Sequence, residues 1–278
     1  MTDRTAFLEA ILSQPDEDLP RLIFADWLEE QGDAARAEFI RVQCDLARLP
    51  RRSPDWRALA EREMDLLSVH GGHWRAEVPA FPGIVWQDFE RGFLSIAQVT
   101  SLEGFTRAAP LVCRVTPLQT AHFVEFGSHD LERLVAVPEL SHLRRLSLWR
   151  AAAPRGVKKL VASPHLAALR SLTIWAARFD DRAVETLCDT ATLPSLTALD
   201  LSDNQITNKG LQRLLASPLA ARLTELLLSR NRLSALGALA LARAPHLADL
   251  TFLDLRHNDI VEPTCSTLRD RFGDRVLV

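Results

Sequence analysis

The chain has 278 residues, 47% of them hydrophobic and 25% charged, and a net charge of −3. That is enough apolar material for about two domains with real cores. It is too little positive charge to select nucleic acid or an anionic membrane by electrostatics. No stretch reaches the roughly 18 consecutive apolar residues that a membrane-spanning helix needs. The four cysteines, Cys44, Cys113, Cys188 and Cys265, form no Cys-x-x-Cys pair. Met1-Thr2-Asp3-Arg4-Thr5 lacks the basic start and apolar run of a secretory signal. A reduced, cytoplasmic protein without cofactor is expected.

Residues 1–80 read as helices. Thr2 or Asp3 is placed to cap the first, which carries Phe7, Leu8, Ile11 and Leu12 through Ser13 and is ended by Pro15. The second begins at Leu19-Pro20, since proline is tolerated in a first helical turn, and presents Leu22, Ile23, Phe24, Trp27 and Leu28 before stopping at Gly32. Asp33 caps a third bearing Phe39, Ile40, Val42, Cys44 and Leu46. A fourth is expected from Asp55 to His70, with Gly71-Gly72 breaking it. The acids Asp26, Glu29 and Glu30 read as a solvated helix face, with Asp26 or Glu38 pairing Arg21 or Arg41. Neither they nor His70 and His73 have the companions that a catalytic or metal site requires.

The phrase from Leu19 to Asp33, LPRLIFADWLEEQGD, continued by Arg36 to Gln43, RAEFIRVQ, resembles the bacterial repeat-companion domain, which typically precedes leucine-rich repeats. The resemblance covers residues 1–50 and implies an architecture but no chemistry. From residue 81 the pattern changes. Ile84, Val85, Trp86 and Phe89 lead to Arg91-Gly92, and Phe93 to Val99 alternates as a strand does. Helical spacing follows over Leu102–Leu111, then a strand over Thr116–Phe123. Residues 81–142 are therefore expected to be a junction containing one or two degenerate repeat units.

From 143 onward one pattern repeats. Leu196-Thr197-Ala198-Leu199-Asp200-Leu201-Ser202-Asp203-Asn204 recurs from Leu223 and again from Leu250, 27 residues apart each time, with weaker copies starting at Leu143 and Leu169. The period lies inside the window of about 20–29 residues for leucine-rich repeats. The first, fourth and sixth positions point inward from one short strand per unit. The segments between look helical, with Leu187, Leu211, Leu214, Leu215, Leu236 and Leu239 facing the sheet. The pattern resembles the ribonuclease-inhibitor-like leucine-rich repeats. The expected fold is thus α/β: a leucine-rich-repeat solenoid over 143–278, parallel strands on the concave face and helices on the convex face, with an N-terminal all-helical capping domain over 1–80. That head is expected to cover the first repeats, and the chain end to cover Leu255.

Asn204, Asn231 and Asn258 close the three strongest copies, and the resemblance implies a stacked asparagine ladder in which Asn231 is buried. Ala151 and Ala177 interrupt it in the earlier copies, and Asn208 is expected to be exposed.

The candidate site follows from the same register. The third, fifth, seventh and eighth positions should face away from the core or into the following bend. They include Trp149, Arg150, Trp175, Asp200, Glu225, Leu227, Arg230, Phe252, Asp254 and Arg256. Trp149 and Trp175 hold equivalent places on adjacent strands, about 4.8 Å apart. They are either exposed aromatic anchors or are covered by the head or a loop. Aromatic anchors among polar groups are characteristic of binding hot spots. The leading expectation is a non-catalytic protein-binding module whose partner is another protein, not nucleic acid or membrane. The alternatives are an enzyme with a catalytic head, or a purely structural subunit of a larger assembly.

Overall fold

The computed structural model describes residues 3–50, 53–150, 153–188 and 193–278. The chain divides into two compact units, 1–119 and 120–278. The division falls inside the stretch expected to be a junction, so a hairpin and a helix join the head while residues 120–142 join the repeats.

In the first unit α1 (Asp3–Ser13), α2 (Leu19–Glu30), α3 (Ala34–Arg48) and α4 (Pro54–Ala76) are followed by strands β1 (Ile84–Glu90) and β2 (Phe93–Val99) and by α5 (Leu102–Val115). Thr2, a candidate cap for α1, lies outside the described residues. Gly32 ends α2 with φ +88°, and the Asp33 carboxylate accepts the Arg36 N–H at 3.2 Å to open α3. Ser53 caps α4 in the same way. That helix continues through Gly71-Gly72, where a break was expected. Trp74, one turn further on, is buried and stacked on Phe39 with ring centroids 4.6 Å apart, so packing outweighs the propensity cost of about 1 kcal/mol per glycine.

β1 and β2 pair antiparallel about the two-residue turn Arg91-Gly92, both with positive φ, as a hairpin of this twist requires. The Gly92 N–H donates to Gln43 Oε1 at 2.6 Å, and a Cβ at Gly92 would lie 2.4 Å from Ile40 Cγ1. Phe93 packs with Phe24, Leu28 and Ile40, and Leu94 with Phe39, Leu66 and Trp74. The hairpin therefore belongs to the core of the head.

The second unit alternates strand and helix: β3 (Thr120–Val124), α6 (Ser128–Leu134), β4 (Arg145–Trp149), α7 (Ala153–Ala162), β5 (Ser171–Trp175), α8 (Asp181–Cys188), β6 (Ala198–Asp200), α9 (Asn208–Leu215), β7 (Glu225–Leu227), α10 (Ala235–Arg243), β8 (Phe252–Asp254), α11 (Thr264–Phe272) and β9 (Val276–Leu277). Each strand from β3 to β9 pairs in parallel with the next. This is a leucine-rich-repeat solenoid. Leu146, Leu148, Leu172, Ile174, Leu199, Leu201, Leu226, Leu228, Leu253 and Leu255 are buried between the sheet and the helices. At the last strand the Leu255 N–H donates to the Leu277 carbonyl at 2.7 Å.

The asparagines hold the units together. Asn204 Oδ1 accepts from the backbone N–H groups of Ala177 and Phe179, and its Nδ2 donates to the carbonyls of Ile174, Leu201 and Ser202. Asn231 and Asn258 repeat the arrangement one and two units on. Asn204 is buried, whereas Asn231, expected to be buried, is half-exposed. Ala177 occupies its unit's asparagine position, and the Asn204 amide satisfies its N–H; Ala151 lies outside the described residues.

Asn208 is not a free surface residue. Its Nδ2 donates to Ser234 Oγ at 2.7 Å, and its Oδ1 accepts the Ser234 N–H at 3.0 Å. One unit earlier the Asp181 carboxylate holds Thr207 by accepting both its N–H, at 2.8 Å, and its hydroxyl, at 2.6 Å. These pairs form a second ladder, at the helix starts, and it leaves room only for glycine. A Cβ at Gly210 would sit 2.3 Å from Asp181 Oδ1, and one at Gly237 would sit 2.4 Å from Asn208 Oδ1. The same register corrects the helix stripe. Leu236 aligns with Lys209 and is 70% exposed, Leu239 is half-buried, and the buried positions of α10 are Gly237, Ala238 and Leu241.

Candidate functional site

Strand alternation sends the third, fifth and seventh positions of each repeat to the sheet face opposite the helices. On that face the side chains of β3, β4, β5 and β6 surround a depression of about 360 Å³, lined by His122, Ser147, Trp149, Thr173, Trp175 and Asp200. Backbone register aligns His122 with Ser147, Trp149 with Trp175, and Thr173 with Asp200. Trp149 is 42% exposed and Trp175 is half-buried. Their ring centroids are 6.1 Å apart at an interplanar angle of 59°, wider than the strand spacing because the rings tilt apart instead of stacking. Trp149 also leans on His122, 5.9 Å between centroids.

The electrostatics of the depression are mild. Burial, and then the nearby Arg145 guanidinium, lower the His122 pKa, which leaves a neutral imidazole at neutral pH. Among the described residues its buried Nδ1 has no hydrogen-bond partner. Asp200 Oδ1 accepts the Ser202 N–H at 2.9 Å, which holds a carboxylate in the wall of the depression. Arg145 is held aside by donation from Nε to Thr120 Oγ1 at 2.8 Å. Two indoles, a neutral imidazole, two hydroxyls and one carboxylate make a surface suited to apolar contact with a polar rim.

The other sequence candidates lie elsewhere. Arg150 and Arg230 occupy the bends after their strands, with φ +52° each, in a series that runs Glu125, Arg150, Ala176, Asp203, Arg230 and His257. Arg150 Nη1 pairs with Glu125 Oε1 at 3.4 Å across that series. Glu225 is exposed, while Leu227 and Phe252 are half-buried on β7 and β8, outside the depression. Asp254, expected on the exposed face, is only 3% exposed. Arg256 folds back over it, donating from Nε, Nη2 and its own N–H. Burial pushes the Asp254 pKa up, but the Arg256 hydrogen bonds outweigh it and the net shift is downward. The Asp254–Arg256 pair is thus a closed unit that presents an arginine rather than a carboxylate.

His122 escaped the sequence reading because its repeat is disguised. Ala121 and Phe123 stand where Leu146 and Leu148 stand in the next unit. The signal was the spacing of 25 residues from His122 to Ser147, within a strand already expected over Thr116–Phe123.

In the head, Asp26 and Glu29 both pair with Arg41, at 2.6 and 2.7 Å, and Glu38 pairs with Arg62. Arg21, the other expected partner, is buried instead and donates to the carbonyls of Glu17 and Pro15. His70 stacks on Trp74 at 5.3 Å between centroids. Among the described residues no cluster of three His, Cys, Asp or Glu could hold a metal, and no helix is long and apolar enough to cross a membrane.

Residues 192–215 match the family model described as a leucine-rich repeat. Solved structures similar to this chain include two of low sequence identity. The actin-binding site 2 of leiomodin-1 is 13% identical with a TM-score of 0.33, covering 52% of this chain and 88% of that one. An internalin from Listeria monocytogenes is 16% identical with a TM-score of 0.35, covering 62% of this chain and 56% of that one. No curated protein sequence matches the chain.

Proposed function

We propose that the chain is a non-catalytic protein-interaction module, and that its partner docks on the sheet face of the second unit around Trp149 and Trp175. The observation that carries this reading is the pair of indoles on adjacent strands. A large apolar ring gains nothing from facing water, yet Trp149 stays substantially exposed above a depression that its neighbours shape. Leu227 and Phe252 on β7 and β8 extend the apolar contact beyond that centre. On the same reading the first unit is a repeat-companion domain of a bacterial protein, supported by the phrase Leu19–Gln43. Four free cysteines support a reducing, cytoplasmic setting.

The test is a comparison of the unaltered chain with the double variant Trp149→Ala, Trp175→Ala as bait for proteins of the source cell. Neither ring is in the buried core, so the variant should keep its unfolding temperature. Loss of two hot-spot aromatics should weaken a specific partner by about 2 kcal/mol or more, roughly thirtyfold. A partner bound equally by both baits would remove the tryptophan pair from the interface.

A further inference from the structure

The first unit contains a second, unrelated feature. α3 carries Arg36 into the core, where it is only 4% exposed. Its guanidinium lies 4.9 Å from the ring centroid of Trp74, 5.6 Å from those of Phe39 and Phe89, and 5.8 Å from that of Phe93. Aromatic faces stabilise the positive charge, but they accept none of the in-plane N–H groups as a carboxylate would. Glu77, the acid whose charge acts most on Arg36, is hydrogen-bonded to Arg4 at 2.7 Å. Among the described residues, Arg36 Nη1 is buried and has no hydrogen-bond partner. Burial lowers the Arg36 pKa to about 10, so the group is still charged at neutral pH.

Arg36 lines a cavity of about 490 Å³ within this unit. Arg4, Glu77 and the exposed Arg114 also line it, and Phe24, Trp74 and Phe93 supply apolar wall. The volume is within the range of about 300–1,000 Å³ typical of small-molecule sites. Because Glu77 neutralises Arg4, the lining keeps the positive charge of Arg36 and Arg114. Buried polar groups are normally satisfied, so an unused N–H on a desolvated guanidinium that lines a cavity points to an acceptor from outside the chain. A guanidinium fork matches a carboxylate. The apolar walls suit a singly charged acid with a hydrocarbon body better than a dianion, whose hydration they could not replace.

We propose that this cavity binds a small organic carboxylate with an apolar body, its carboxylate accepting hydrogen bonds from Arg36 and its body resting on Trp74 and Phe93. The site is independent of the sheet face of the second unit. Calorimetric titration of the full chain with phenylacetate and hexanoate, against phenylacetamide, hexanamide and inorganic phosphate, tests it. At least one of the acids should bind saturably, about tenfold or more tighter than its amide and than phosphate. Arg36→Met should abolish the preference for acid over amide. Arg114→Gln, an exposed change that leaves the core intact, should weaken the acid severalfold. If Arg36→Met does not fold, the acid-to-amide ratio and Arg114→Gln decide. The proposal is overturned by equal binding of acid and amide, by phosphate binding as tightly as the acids, or by no effect of Arg114→Gln. It is also overturned if neither acid binds saturably up to about 10 mM.

Discussion

Asn204 shows how one side chain serves two repeats. Its amide fills the gap that forms where strand turns into loop, accepting two backbone N–H groups of the preceding unit and donating to carbonyls of both. Asn204→Ala orphans the buried N–H groups of Ala177 and Phe179 and should destabilise the chain by about 1–3 kcal/mol. Asn231→Ala, at a half-exposed site where water can substitute, should cost less. Urea unfolding of the two variants measures both, and an unchanged midpoint for Asn204→Ala would refute the ladder. The asparagines were legible in the sequence because they recur at a fixed period. The Arg36 cage was not, because its rings come from Phe39, Trp74, Phe89 and Phe93, whose convergence depends on the head's tertiary fold. Asn208 misled for a related reason: its partner, Ser234, lies a whole repeat away.

Among the elements, the helices of the repeats are spaced by glycine. Gly210 in α9 and Gly237 in α10 occupy equivalent positions, 27 residues apart, where the preceding unit's Asp181 or Asn208 reaches across. Gly210→Val would drive a branched side chain into the Asp181 carboxylate and the Ile206 side chain, so overpacking of about 1–3 kcal/mol is expected. Thermal unfolding should show a clear fall, and an unchanged transition would mean that neighbouring helices can slide apart at no cost. Element type and order in the repeats followed from leucine period, yet helix register did not follow from apolar residues alone. Leu236 was assigned inward on hydrophobicity, whereas alignment with Lys209 puts it outside, where the structure has it. In the head, the hairpin was readable from Arg91-Gly92, but its membership in the head core depends on Gln43 and Ile40, which no local pattern reveals.

At the scale of the molecule, the two units carry two different surfaces. The first encloses a cationic cavity with aromatic walls; the second spreads tryptophans over parallel strands. The period of the repeats made the second surface's rows predictable, including the alignment of Trp149 with Trp175, because parallel strands preserve register. It did not predict that Asp254 would be masked by Arg256, since that depends on how one arginine folds back. The central claim is that a partner protein contacts the tryptophan-bearing sheet face. It is tested most directly by site-specific photo-crosslinking. A photoreactive residue at Thr173, two positions before Trp175 on β5 and in the wall of the same depression, should form a covalent adduct with the captured partner, whereas one at Leu236 on the helix side should not. Adducts at Leu236 with none at Thr173 would contradict the account.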